Sequence, residues 1–209
     1  VIHGTSQSTA GVYTGNFVSI LGCDSTSIVT LTVLPLPTVS AGQDKYVCSG
    51  TPVTLSGLGA TTYSWTGNIT NGVAFNQVPG TVSYTLTGTD NNGCSSTDQV
   101  NVTVFALPQI DAGIDQGICP GEQVILTGAG GVNYTWNNGI TDGIPFNPTA
   151  SQTYTVTGTD GNGCSNTDNV NITVYSNPII NAGVDQIVCV GETVTVTANG
   201  AATYIWTGG

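Results

Sequence analysis

Positive charge is almost missing from this chain of 209 residues: Lys and Arg together number one, Lys45, against twelve acidic side chains, for a net charge of −11. A nucleic-acid backbone is gripped by a basic footprint and an anionic bilayer repels a polyanion, so neither is expected as a partner. Charge of either sign is rare, at 6% of residues, and Thr, Ser and Asn take its place in hydrating the outward strand positions. The tools of catalysis are equally thin. His3 is the only imidazole and Lys45 the only side-chain amine; no Ser–His or Cys–His arrangement can be assembled and the acids are scattered over turns, so no enzymatic role is expected. Methionine is absent, no apolar run approaches the ~18 residues of a membrane-spanning helix, and no stretch has helical periodicity.

What is present is one pattern written several times. In Tyr84–Val104, YTLTGTDNNGCSSTDQVNVTV, the residues Tyr84, Leu86 and Gly88 alternate with Thr85, Thr87 and Thr89. Asp90-Asn91-Asn92-Gly93 follows, four residues able to reverse the chain, and Val100, Val102 and Val104 alternate with Asn101 and Thr103 on the return. This predicts a β-hairpin with one apolar and one polar face. It recurs at Tyr154–Val174 and, more weakly, at Tyr13–Val33. Cys48, Cys119 and Cys189 are spaced by 71 and 70 residues, as are Trp65, Trp136 and Trp206, and Cys23, Cys94 and Cys164; the chain is an internal repeat.

The frame divides the chain into the C-terminal half of a truncated repeat (1–34), two whole repeats (35–107 and 108–177) and the N-terminal part of another (178–209). The sequence is therefore expected to be an excerpt of a longer array. The junctions TVLPLPTV, VFALPQI and VYSNPII are short, apolar and proline-bearing, unlike a flexible Gly/Ser tether, and predict semi-rigid stacking. Units of this size bury a modest core and are expected to lean on disulfides or on neighbours. The six cysteines include no C-x-x-C pair and have no nearby His, which points to disulfides in an oxidising compartment rather than to zinc.

Within 108–177 the expected strands are Ile110–Gly113 continued by Gln116–Cys119, then Gln123–Thr127 with Val124 and Leu126 inward, then Asn133–Asn137 with Trp136 inward. A looser stretch around Ile144-Pro145-Phe146 precedes the closing hairpin. Six or seven short strands with turn signals every 8 to 12 residues predict an all-β sandwich, with Trp65, Trp136, Trp206, Phe75 and Phe146 in the cores.

The frame AGxDxxxCxGxxVxLxxxGxxxYxW, then Phe, then YTxTGTDxNGCSxTDxVNxTV, is carried by SAGQDKYVCSGTPVTLSG, DAGIDQGICPGEQVILTG and NAGVDQIVCVGETVTVTANG. It resembles the PKD and immunoglobulin-like repeats of giant Bacteroidota cell-surface proteins, including adhesins exported by the type IX route, over essentially the whole chain. The resemblance implies tandem Ig-like/PKD-like β-sandwich domains stacked end to end at a bacterial cell surface. It implies a non-catalytic fibre or adhesin stalk, stiffened by Pro linkers and disulfides, whose partners are neighbouring repeats of the same chain, with lateral self-association into a filament. The alternative is an array of carbohydrate- or protein-binding modules, against which stand the small, bland loops Ala129–Tyr134 and Gly139–Ile144.

The immunoglobulin disulfide lies in mid-strand beside the core Trp, whereas these cysteines sit at strand ends. Equal spacing suggests Cys48–Cys94 and Cys119–Cys164 within units. The Greek-key strand order implied by the resemblance instead puts Cys48 and Cys94 at opposite poles, roughly 30 Å apart, where a disulfide needs Cα atoms within about 7 Å. That order implies a staple across the repeat junction, Cys48–Cys164, with Cys23 and Cys94 pairing upstream of the sequence and Cys119 and Cys189 downstream. Asp90 and Asp160 in the hairpin turns, and Asp111 and Asp115 with Asp44 and Asp185 near the tops of the units, are weak calcium candidates. A tight turn needs such residues for backbone reasons alone, and Asp111 is Ser40 and Asn181 in the sister repeats, so no metal or other cofactor is expected. Asn68, Asn101, Asn133 and Asn171 head N-x-T triplets, which arise by chance in a chain so rich in Asn and Thr.

Overall fold

The computed structural model describes residues 6–208, so that His3 lies outside the described residues. The chain forms two compact units that divide between Ala106 and Leu107.

The first unit opens with β1 (Gly11–Val18) and β2 (Asp24–Leu31), an antiparallel hairpin in which Tyr13 faces Val29. Then follow β3 (Lys45–Cys48), β4 (Val53–Thr54), β5 (Thr62–Trp65), β6 (Ala74–Phe75), β7 (Gly80–Thr89) and β8 (Ser95–Phe105). Four of them form a sheet in the order β3-β8-β7-β5, and β4 pairs with β6 in a second, smaller sheet. The alternation of the hairpin sequence decides which face is buried. Leu86, Val100, Val102 and Val104 turn inward from β7 and β8 against Val53 and Leu55, and Trp65 closes the same core. Each such aliphatic burial is worth about 1.5–3 kcal/mol. The other face carries hydroxyl and amide rungs: Thr81 to Thr103 at 2.9 Å, Ser83 to Asn101, and Gln99 Nε2 donating to Thr85 Oγ1 at 3.3 Å. Gly88 sits at an inward position because Val39 occupies its side-chain space: a Cβ there would stand 2.6 Å from Val39 Cγ2.

The second unit repeats the plan with β9 (Gln116–Ile118), β10 (Asn133–Trp136), β11 (Gln152–Thr159) and β12 (Ser165–Val174), in the order β10-β11-β12-β9. Its core gathers Val124, Leu126, Trp136, Tyr154, Val156, Val170 and Ile172. In both units the first strand of the large sheet runs parallel to the last, β3 beside β8 and β9 beside β12.

Several expectations are corrected. Of Ile110–Gly113 and Gln116–Cys119 only Gln116–Ile118 is a strand, with Asp111 adding a single bridge to Ala129. Gln123–Thr127 is reduced to one bridge, Val124 to Phe146, because its inward residues are held by packing rather than by a ladder. Phe75 and Phe146 are half-buried at the margin of their cores, edge-on to Tyr84 and Tyr154 with ring centroids 5.5 and 5.2 Å apart. Trp206, expected in a core, is 51% exposed, whereas Trp136 is covered where β10 pairs with β11.

Candidate functional site

The cysteines occupy strand ends. Cys48 closes β3 opposite Phe105, the last residue of β8, whereas Cys94 directly precedes the other end of β8. The 11 residues of β8, at about 3.3 Å each, hold these two sulfurs several times farther apart than a disulfide can span. Cys48 and Cys164 are disulfide-bonded, while Cys23, Cys94, Cys119 and Cys189 carry free thiols. Cys164 is fully buried, whereas its frame equivalent Cys23 is exposed and Cys94 intermediate.

Five of the six candidate acids, all but Asp185, are engaged with the backbone. Asp90 Oδ1 accepts the N–H groups of Asn92 at 2.8 Å and Cys94 at 2.9 Å, and Asp160 Oδ1 does the same for Asn162 and Cys164, both at 2.9 Å. These carboxylates shape the hairpin tips as Asx turns. Asp111 Oδ1 accepts the Gly113 N–H at 2.8 Å; Ser40 Oγ and Asn181 Oδ1 accept from Gly42 at 3.3 Å and Gly183 at 2.8 Å. The irregular residue type at this position thus conceals a constant bond, since any short side chain with an oxygen acceptor makes it. Asp115 grips Asn171 twice, through the backbone N–H at 2.7 Å and the side-chain amide at 3.1 Å, and Asp44 grips Asn101 identically at 2.8 and 3.1 Å. Among the described residues no group of three or more His, Cys, Asp or Glu is placed to hold a metal ion.

A second clip escaped sequence reasoning. Asp98 Oδ2 accepts the Ala41 N–H, and Asp168 Oδ2 the Ala112 N–H, each at 2.8 Å. Each whole repeat therefore ties its entry segment to its closing hairpin through two carboxylates at opposite ends of the pairing. The only sequence signal was the recurrence of AG-x-D and TD-x-V in one frame. Backbone N–H donors hold the carboxyls of Asp44, Asp98, Asp115 and Asp168 below the usual carboxylate range: Asn101 for Asp44, Ala41 then Gln99 for Asp98, Asn171 for Asp115, Ala112 then Asn169 for Asp168. Burial raises the Tyr84 and Tyr154 hydroxyls.

The core tryptophans are equally tied down. Trp136 Nε1 donates to Asp142 Oδ1 at 2.8 Å, and the Gly128 N–H donates to the same oxygen at 2.8 Å. Asn71 serves Trp65 and Gly57 in the same way, at 3.0 and 2.7 Å. Two residues before each Trp, the Tyr134 and Tyr63 hydroxyls close the preceding loop, onto Gly131 and Ala60 respectively.

Strands β5, β7 and β8 with the short sheet β4-β6 take the places of the C, F, G, B and E strands of an immunoglobulin sandwich, and the buried Trp ends the strand in the C place. The chain is built of immunoglobulin-like β-sandwich domains. No protein-family model and no curated protein matches it. Among solved structures it is similar to the fibronectin(III)-like modules of Clostridium thermocellum CbhA, at 12% identity and TM-score 0.32 over 68% of this chain and 95% of that one. It is similar also to DIP-gamma IG1+IG2, at 13% identity and TM-score 0.32 over 68% and 98%, and to mouse clustered PcdhgC3 EC1-3, at 12% and 0.31 over 83% and 79%.

Proposed function

We propose that this chain is the non-catalytic repeat region of an extracellular surface fibre or adhesin stalk, of the kind borne by Bacteroidota and exported by the type IX route. Its sandwiches succeed one another through short proline linkers and a Cys48–Cys164 staple across the junction. The observation that carries this reading is the destination of the polar side chains. The acids that could have formed a site are instead bonded to backbone N–H groups of their own repeat, in the same frame positions in both units. A repeat whose recurrent acids serve its own shape is suited to contribute length and stiffness. In the same reading Cys23 and Cys94 pair with an upstream neighbour and Cys119 and Cys189 with a downstream one, so that each linker is locked. A disulfide supports an oxidising compartment in this reading, and no helix among the described residues is long and apolar enough to cross a membrane.

Peptide mapping of the native protein without reductant tests the staple: a Cys48 peptide linked to Cys164 is expected, and one linked to Cys94 overturns it. Negative-stain images of the native surface test the fibre. A thread whose length scales with repeat number is expected, and compact particles would refute it.

A further inference from the structure

Between the loop after Trp65 and strand β6, the first unit carries an open cleft of about 370 Å³, within the size range of small-ligand sites. The rings of Tyr84 and Phe75 stand in it, and Asn68, Thr70 and Asn76 line it. The Tyr84 hydroxyl is committed to Gln77 Oε1 at 2.9 Å, and the half-buried Phe75 ring supplies the apolar surface of the cleft. The side chains of Asn68, Thr70 and Asn76 make no hydrogen bond to the described residues, so their polar atoms face the cleft uncommitted.

The second unit differs in side chains at the same place. Asn138 stands where the first unit has Gly67, and Pro145 where it has Ala74. A Cβ on Gly67 would stand 3.2 Å from Tyr84 Cε1, so glycine leaves room beside the edge of that ring, while Tyr84 and Tyr154 are both buried, at 9% and 4% exposed. Asn147, the counterpart of Asn76, donates its amide to the Gly121 carbonyl at 3.0 Å. The loops have a common backbone: Gly67 and Asn68 (φ 76° and 56°) and Asn138 and Gly139 (φ 57° and 73°) are paired left-handed residues with glycine and asparagine exchanged. Each loop is pinned to the neighbouring strand, Thr66 Oγ1 accepting from the Thr85 N–H and Asn137 Oδ1 from the Thr155 N–H, both at 3.0 Å. The difference between the units is therefore one of side chains on the same frame.

We propose that this cleft of the first unit binds a neutral saccharide unit. Two carboxamides and a hydroxyl, each able to donate and accept, beside an apolar aromatic surface, complement a sugar ring with its hydroxyl edge and C–H face. No carboxylate lines the cleft to attract a cation, and the net charge of −11 disfavours an anion.

The test is titration of the 15N-labelled full chain with cellotetraose, mannotetraose and chitotetraose into the millimolar range. At least one of them is expected to shift the amides of Asn68, Thr70 and Asn76 while leaving Gly139, Thr141 and Asn147 unmoved. The exchange Gly67→Asn with Asn68→Gly rewrites the turn as the one the second unit already folds, and is expected to weaken that binding about tenfold or more, with the Trp65 indole N–H resonance unchanged. Asn76→Ala removes a rim amide and should weaken it too. The proposal is overturned if none of the three sugars moves the cleft amides, if both units respond alike, or if the exchanged turn binds as tightly as the parent.

Discussion

Residues 110–136 and 180–206 follow one sequence frame and end differently. In the first stretch Gln116–Ile118 and Asn133–Trp136 are strands and Trp136 is 5% exposed; in the second no strand forms and Trp206 is 51% exposed. Yet the short-range bonds survive in the second. The bridge Asn181 to Asn199 matches Asp111 to Ala129, Asn181 Oδ1 caps the Gly183 N–H, Glu192 Oε2 accepts from Cys189 at 3.1 Å as Glu122 does from Cys119 at 2.6 Å, and Tyr204 still closes its loop onto Ala201 at 2.7 Å. Turns and loop closures need only residues close in sequence. Strands and core need the closing hairpin, which supplies the ladder partners in β11 and β12 and the inward Val156, Val170 and Ile172.

The largest test of this contrast is the pair of tryptophans. Trp136→Ala is expected to destabilise its unit by about 3–5 kcal/mol, as for a large buried aromatic, while Trp206→Ala stays within about 0.5 kcal/mol as at an exposed site. Denaturant unfolding of the two variants measures this, and equal losses would mean that the second stretch has a core of its own. A smaller effect belongs to the contact that joins entry segment to hairpin. Any Cβ on Gly158 would run into Ile110 Cδ1, so Gly158→Ala should cost about 1–3 kcal/mol by overpacking, and Ile110→Ala in the same chain should return part of it. Melting curves of the single and double variants test this; additive losses would sink the steric account.

The mildest effect is in pH. Asp44, Asp98, Asp115 and Asp168 have carboxyls held below their ordinary value, so their folded forms bind protons less readily than the unfolded chain. Their contribution to stability is complete above about pH 4 and is lost as pH falls through the lowered folded values. Melting temperature should therefore drop on acidification through that window. Asp115→Asn should flatten the drop, and a drop of undiminished size in that variant would sink the account.

Much of this was legible from local pattern. Alternation in Tyr84–Val104 gave both the hairpin and its buried face, because in a strand the side-chain period is two whatever the surroundings. Phe75 and Phe146 were placed too deep, since hydrophobicity states a preference for burial but not a position between centre and margin. The carboxylate clips were hidden for another reason: Asp98 and Ala41 are 57 residues apart, and nothing in either residue's neighbourhood names the other. The irregular Ser40, Asp111 and Asn181 looked like a failed ion site and prove to be three versions of one bond.

The sequence by itself determined the repeat, its period, the strands' faces and the tight turns, all of which depend on residues within a few positions of one another. Only the tertiary structure decided which acids meet which backbone donors and which cysteines are bonded. Those outcomes depend on segments brought together by strand pairing, and spacing along the chain does not encode distance across a sheet.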